Sequence, residues 1–213
     1  MLQITRSGVV FSGSDADIER MRADFERQDW VRLPAMLDQD LLKMIQQQLA
    51  ANDFDGKTES IYQQVDVTDG ALLILLNSPQ LFRILERITG GGHIGCFRGR
   101  IYQFVPGARN ILEWHSDLNG SRLAAITINL NSEHYHGGVL SIREAKTKRM
   151  LCQLTNPGFG DAILFRIDER LEHSVSDVEG TVTKIALAGW FESEPEYRTL
   201  LAEGIARSMQ KQA

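Results

Sequence analysis

Three side chains in this sequence have the types and spacing to hold a redox metal. His115 and Asp117 lie in Glu113-Trp114-His115-Ser116-Asp117, and His173 lies in Leu171-Glu172-His173-Ser174-Val175. On an extended strand, residues i and i+2 project to the same side. His115 and Asp117 can therefore offer an imidazole nitrogen and a carboxylate oxygen to one point, with Ser116 facing away. A second imidazole from a distant strand completes a face of two histidines and one carboxylate. That face suits non-haem Fe(II) and leaves coordination positions open. The His-x-Asp spacing alone is a weak signal in a chain with five histidines. Its weight comes from the elements that must bring the three residues together.

From His93 onward the apolar pattern has a period of two. Residues 96–105, 123–130, 138–143, 150–154, 162–166, 173–178 and 182–191 read as short strands. Between them stand turn signals such as Pro106-Gly107, Asn119-Gly120, Gly137-Gly138 and Glu179-Gly180. Short strands at this spacing predict an antiparallel barrel or jelly roll.

The first 92 residues read as mostly helical. Residues 2–11 alternate loosely, as an edge strand does. Ser14 and Asp15 cap a helix with Ile18, Met21 and Phe25 on one face, and Asp38 starts another with Leu41, Leu42, Ile45 and Leu49. Residues 52–60 are polar and read as a loop, and 71–76 are a short apolar run. Ser78-Pro79 opens a helix carrying Leu81, Phe82, Leu85 and Ile88, which Gly90-Gly91-Gly92 ends. After Pro195 the tail is helical again, with Tyr197, Leu200, Leu201, Ile205 and Met209 at helical spacing. The expected fold is α+β, mainly β, in one domain spanning 1–213. It comprises a mostly helical layer (1–92), a jelly-roll or double-stranded β-helix core (93–192) and a C-terminal helix (193–213).

The chain of 213 residues is 43% hydrophobic and 24% charged, with net charge −5 and its acidic residues dispersed. That balance disfavours non-specific binding to nucleic acid or to an anionic membrane. No secretory h-region and no run of eighteen apolar residues occurs. The two cysteines, Cys96 and Cys152, sit among apolar neighbours and read as reduced thiols of a cytoplasmic protein.

The ordered set HSD (115–117), RLAAITINLN (122–131), GGVLSIRE (137–144), PGFGDAILF (157–165), the His173 segment and the strand from Lys184 resembles one known group. It is the prolyl 4-hydroxylase-type branch of the Fe(II)/2-oxoglutarate-dependent dioxygenases, and the resemblance covers roughly residues 96–192. It implies that His115, Asp117 and His173 ligate Fe(II), with 2-oxoglutarate and O2 as cosubstrates and ascorbate as a reductant. Lys184 falls where the family places a basic residue that pairs with the distal carboxylate of 2-oxoglutarate. Many members have Arg there, whereas collagen-type prolyl hydroxylases have Lys. Asn129 falls where hypoxia-factor-type members have a cosubstrate-binding tyrosine, and Tyr102 is a further candidate on the strand before the metal pair. Trp190 would line the pocket wall. Arg122, near the barrel mouth, is either a contact to an acidic substrate or a surface arginine.

The implied reaction is hydroxylation of an aliphatic carbon, coupled to decarboxylation of 2-oxoglutarate to succinate and CO2. Formal charges of Fe(II), Asp117, 2-oxoglutarate and Lys184 cancel, which removes the cost of an unpaired carboxylate in an apolar barrel. Related halogenases carry Gly or Ala at the carboxylate position, so Asp117 argues for hydroxylation. The substrate is left open between a peptidyl group, such as a prolyl residue, and a free amino acid or small metabolite. The rival reading is a non-catalytic, cupin-like metal- or metabolite-binding barrel. A third reading, a cupin proper, would take its ligands from the pair His134-x-His136, although the next glutamate, Glu144, is further on than cupins place it.

Overall fold

The computed structural model describes residues 1–51, 63–66, 71–108, 112–155 and 158–211. Leu2–Thr5 (β1) and Gly8–Phe11 (β2) pair as an antiparallel hairpin. The loose alternation over 2–11 is thus two strands, because the chain reverses at Arg6-Ser7 and pairs again from Gly8, whose φ of 139° lies outside the range that most residues adopt. Helix α1 (Asp15–Gln28) begins at Ser14, whose backbone N–H donates to the Asp17 carboxylate at 2.7 Å. Trp30–Leu33 forms β3, and Asp38 leads into α2 (Gln39–Ala51) by accepting from the Leu41 N–H at 2.8 Å. Gln63–Asp66 is β4, and the apolar run Ala71–Leu76 is a short helix, α3. Helix α4 (Pro79–Thr89) is capped by Ser78 and stopped by Gly90 in the left-handed conformation. The polar segment 52–60 lies outside the described residues.

The β-rich half follows in order: β5 (Cys96–Phe104), β6 (Leu112–His115), β7 (Arg122–Asn129), β8 (His136–Gly137), β9 (Leu140–Glu144), β10 (Met150–Leu154), β11 (Ala162–Arg166), β12 (Leu171–Val175), β13 (Val178–Glu179) and β14 (Lys184–Glu192). Helix α5 (Tyr197–Lys211) ends it. Two large antiparallel sheets result, and β8 and β13 pair separately as a two-stranded one. The major one runs β3-β11-β7-β14-β5-β4, and the minor one runs β10-β9-β12-β6. This is the expected jelly roll, α+β and mainly β. The amino-terminal layer also contributes β3 and β4, the two edges of the major sheet, which reading it as mostly helical left out. Four residues are too few to show a period, and β3 gains its partner, β11, only from the far half of the chain.

Alternation divides the apolar residues of the major sheet. Phe97, Ile101, Ile126, Ile128, Leu187 and Phe191 join a core with Leu81, Leu85 and Ile88 of α4 and Leu41 and Leu42 of α2. The opposite face sends Ala125, Ile163 and Phe165 towards Leu140, Ile142 and Leu171 of the minor sheet. The site lies between the sheets.

Asp161, just before β11, ties β3 to the barrel. Its carboxylate accepts from Arg32 Nε at 3.0 Å and from the Ala35 N–H at 2.8 Å, where Ala35 has a positive φ. Asp161→Ala removes both acceptors and is expected to lower unfolding free energy by about 2 kcal/mol, given about 1–3 kcal/mol for stranding a buried donor. Urea denaturation measures it, and an unchanged midpoint would show that the tie contributes nothing.

Candidate metal centre

His115 is the last residue of β6 and pairs in register with His173 on β12. Their ring centroids are 4.3 Å apart. Asp117 does not share the strand, as the i, i+2 reasoning assumed, because β6 ends at His115 and the segment 116–119 is irregular. The carboxylate still arrives. Asp117 Oδ1 is 3.7 Å from His115 Nε2, and Oδ2 is 3.3 Å from His173 Nε2. One ligand atom from each residue lies within 4.8 Å of the others, and this is the sole such group of three among the described residues.

The donor chemistry fits a divalent iron. His115 Nδ1 lies 2.6 Å from the Glu113 carbonyl, the place of an N–H donor, which leaves Nε2 with its lone pair for metal. Burial pushes the Asp117 carboxyl up, but hydrogen bonds from His173 and Trp190 outweigh it and hold the group below its ordinary value. Asp117 is therefore an anionic ligand at neutral pH. His134 and His136 stand apart on an exposed stretch with ring centroids 5.1 Å apart, and no third ligand joins them among the described residues.

The three residues open into a cavity of about 330 Å³. Its floor is the inward row of β14: Lys184, Ala186, Ala188 and Trp190. At about 3.3 Å per residue, that row spans about 20 Å from the lysine to the tryptophan. The two alanines leave a trough between them, flanked by Arg100 and Tyr102 of β5 and Thr127 of β7.

Lys184 closes the far end. It is 6% exposed, and its Nζ donates to the Gly138 carbonyl at 2.8 Å. The rings of Phe104 and Tyr135 lie 5.4 and 5.7 Å from Nζ. Gly138 has a φ of 59°, and a Cβ there would fall 2.7 Å from Lys184 Cδ, so a glycine makes room for the lysine. Burial lowers the lysine to about 8. Among the described residues no carboxylate pairs with it. A buried cation without a counter-ion is expensive, and a bound anion removes that expense.

The other expected site residues divide. Tyr102 lines the cavity, its ring 6.2 Å from that of Phe104. Asn129 does not line it, although it is in register with Ala186. Its amide donates to the Gly158 carbonyl at 3.0 Å and to the Asn131 carbonyl at 3.3 Å, and its oxygen accepts from the Asn131 N–H at 3.1 Å. Those bonds turn it from the trough to the backbone. Trp190 forms the wall nearest the ligands, and its Nε1–H donates to Asp117 Oδ2 at 2.7 Å. Arg122 lies over the Trp190 ring, with its Cζ 3.7 Å from the ring centroid.

Sequence reasoning passed over Ala186 and Ala188, although a small residue at every second place between Lys184 and Trp190 was a readable signal. It also passed over Arg100 and Glu192, which nothing local marks.

Residues 100–192 match the family model described as the 2OG-Fe(II) oxygenase superfamily. Among curated proteins, none matches the chain. Solved structures share its fold. A prolyl-4-hydroxylase from Pseudomonas putida superposes with a TM-score of 0.63 at 20% identity, covering 84% of this chain and 100% of that one. A prolyl hydroxylase from Trichoplax adhaerens, in complex with a hypoxia inducible factor peptide fragment, gives 0.61 at 13% identity over 85% and 94%. The non-heme alpha ketoglutarate dependent epimerase SnoN from nogalamycin biosynthesis gives 0.64 at 14% identity over 84% and 83%.

Proposed function

We propose that this chain hydroxylates an aliphatic carbon of an amino-acid, peptidyl or small-metabolite substrate, because residues 100–192 match the 2OG-Fe(II) oxygenase superfamily model and the chain shares the fold of a prolyl-4-hydroxylase. One observation carries the reading: the His115–Asp117–His173 cluster and the buried Lys184, which has no carboxylate partner among the described residues, border one cavity.

His115, Asp117 and His173 would hold Fe(II), which with O2 supplies the oxidative decarboxylation of 2-oxoglutarate and the hydroxylation of a C–H bond. Lys184 binds the distal carboxylate of 2-oxoglutarate as a charge-assisted donor. Ala186 and Ala188 leave the trough for its carbon chain, and Tyr102 borders it. Leu140, Phe165 and Val175 supply apolar walls that keep water from the reacting atoms. Trp190 presents its ring on the metal side, where the substrate's reacting carbon must come. A volume of about 330 Å³ is near the small end for ligand sites. It suits the cosubstrate plus the reacting end of a substrate, so a peptide would insert a single side chain. The free thiols Cys96 and Cys152 suit a reducing, cytoplasmic setting. Among the described residues no helix is long and apolar enough to cross a membrane.

The test is an anaerobic titration with Fe(II) and then 2-oxoglutarate, followed by admission of O2. A weak visible charge-transfer band and iron-dependent succinate release are expected. Iron binding with neither band nor succinate would leave a metal-binding barrel that does not use this cosubstrate.

A further inference from the structure

The three ligands are not held equally. His115 is fixed by the β6–β12 pairing, and His173 by neighbours on both sides, β6 and β9. Asp117 lies beyond the strand, where no ladder fixes its backbone. Besides His173, its restraints come from the other sheet. The Trp190 indole N–H donates to Oδ2 at 2.7 Å, and Arg122 Nη1 donates to the Asp117 backbone carbonyl at 3.3 Å while standing 3.6 Å from Oδ1.

Those two residues are rigidly placed. Trp190 sits within β14, in register with Arg98 of β5 on one side and Ala125 of β7 on the other. Arg122 starts β7 and stands over the indole. Its Nε is 3.4 Å from one oxygen of Glu192, a residue 4% exposed, and Arg98 Nε is 3.3 Å from the other. The relay Glu192–Arg122–Trp190–Asp117 thus runs from the major sheet to the loop that leaves the minor one.

We infer that Trp190 and Arg122 are positioning residues that hold the Asp117 carboxylate in a metal-ready orientation before metal arrives. The assignment rests on the metal site proposed above. Groups that orient a ligand typically contribute about 10–100-fold in metal affinity. The indole contributes through its N–H, the group that meets the carboxylate.

The experiment measures Co(II) affinity and the Co(II) d–d spectrum of the full chain without 2-oxoglutarate, for the parent, Trp190→Phe and Arg122→Met. Trp190→Phe keeps an aromatic face and loses the N–H. It is expected to weaken Co(II) binding about 10–100-fold and to alter the spectrum, while the melting temperature of the metal-free protein changes little. Arg122→Met provides an independent arm, with a smaller loss of affinity. In an Asp117→Ala background, Trp190→Phe is expected to change the residual affinity no further. Parental Co(II) affinity and spectrum in both single variants would overturn the inference, as would a loss of metal-free stability with parental affinity. Absence of Co(II) binding by the parent would instead overturn the metal site itself.

Discussion

Lys184→Met is expected to melt at a higher temperature than the parent when no ligand is bound, and to bind 2-oxoglutarate about 10–100-fold more weakly. The weakening follows from losing a charge-assisted hydrogen bond of about 1.5–3 kcal/mol. The gain in stability follows from the same burial. The fall of the Lys184 pKa from the ordinary 10.5 to about 8 corresponds to a folding cost of about 3 kcal/mol at neutral pH. Methionine fills similar space without that cost and forgoes the bond to the Gly138 carbonyl, about 1 kcal/mol. The net expectation is a gain of about 1–3 kcal/mol, as when buried charges give way to apolar groups of similar volume.

The sign with pH is fixed. The unfolded lysine holds its proton more tightly, so the cost is complete below about pH 8 and disappears as pH rises towards 10.5. The advantage of the variant should shrink over that window. Parental affinity for 2-oxoglutarate should fall above about pH 8, as the lysine loses its charge. Calorimetry and anaerobic titration at several pH values measure both effects. A variant that is less stable at neutral pH, or that binds 2-oxoglutarate as tightly as the parent, contradicts the assignment of Lys184.

Asp117→Ala is expected to weaken Fe(II) or Co(II) binding by more than about a hundredfold, beyond the 10–100-fold typical of groups that merely orient a ligand. Asp117 is the anionic member of the cluster, and the two imidazoles alone leave the metal charge uncompensated. Succinate release should vanish with it. The paired control is His134→Ala with His136→Ala, which should retain parental metal affinity and turnover, because that pair has no third ligand among the described residues. The reverse pattern, with Asp117→Ala binding metal and the His134/His136 variant failing to, would move the metal to the other end of the barrel and restore the cupin reading.

Much of this site was legible in the chain because the signals are local. A period of two, broken by glycine-bearing turns, gave β10 and β11 their bounds and most of the others to within a few residues. Ser14, Asp38 and Ser78 marked helix starts because a cap acts on the turn that follows it. The types of His115, Asp117 and His173 already carried their chemistry, since an imidazole and a carboxylate are ligands wherever they meet. Lys184 stood out as a cation on an otherwise apolar inward row.

What the tertiary structure decided depends on partners far along the chain. Trp30-Val31-Arg32-Leu33 becomes a strand because β11 offers it an edge, and no pattern within four residues announces that. Asn129 holds an inward register, yet its amide finds the Gly158 carbonyl, so a position that would read as cosubstrate-binding becomes a backbone tie. Trp190 reads as a wall from its alternation, and only the packing of one sheet over the other brings its N–H to Asp117. Residue type and local period determine which groups are present and which way a strand presents them. Hydrogen-bond partners contributed by other strands determine which of those groups remain free to act, because a side-chain amide or indole takes the nearest acceptor that folding supplies.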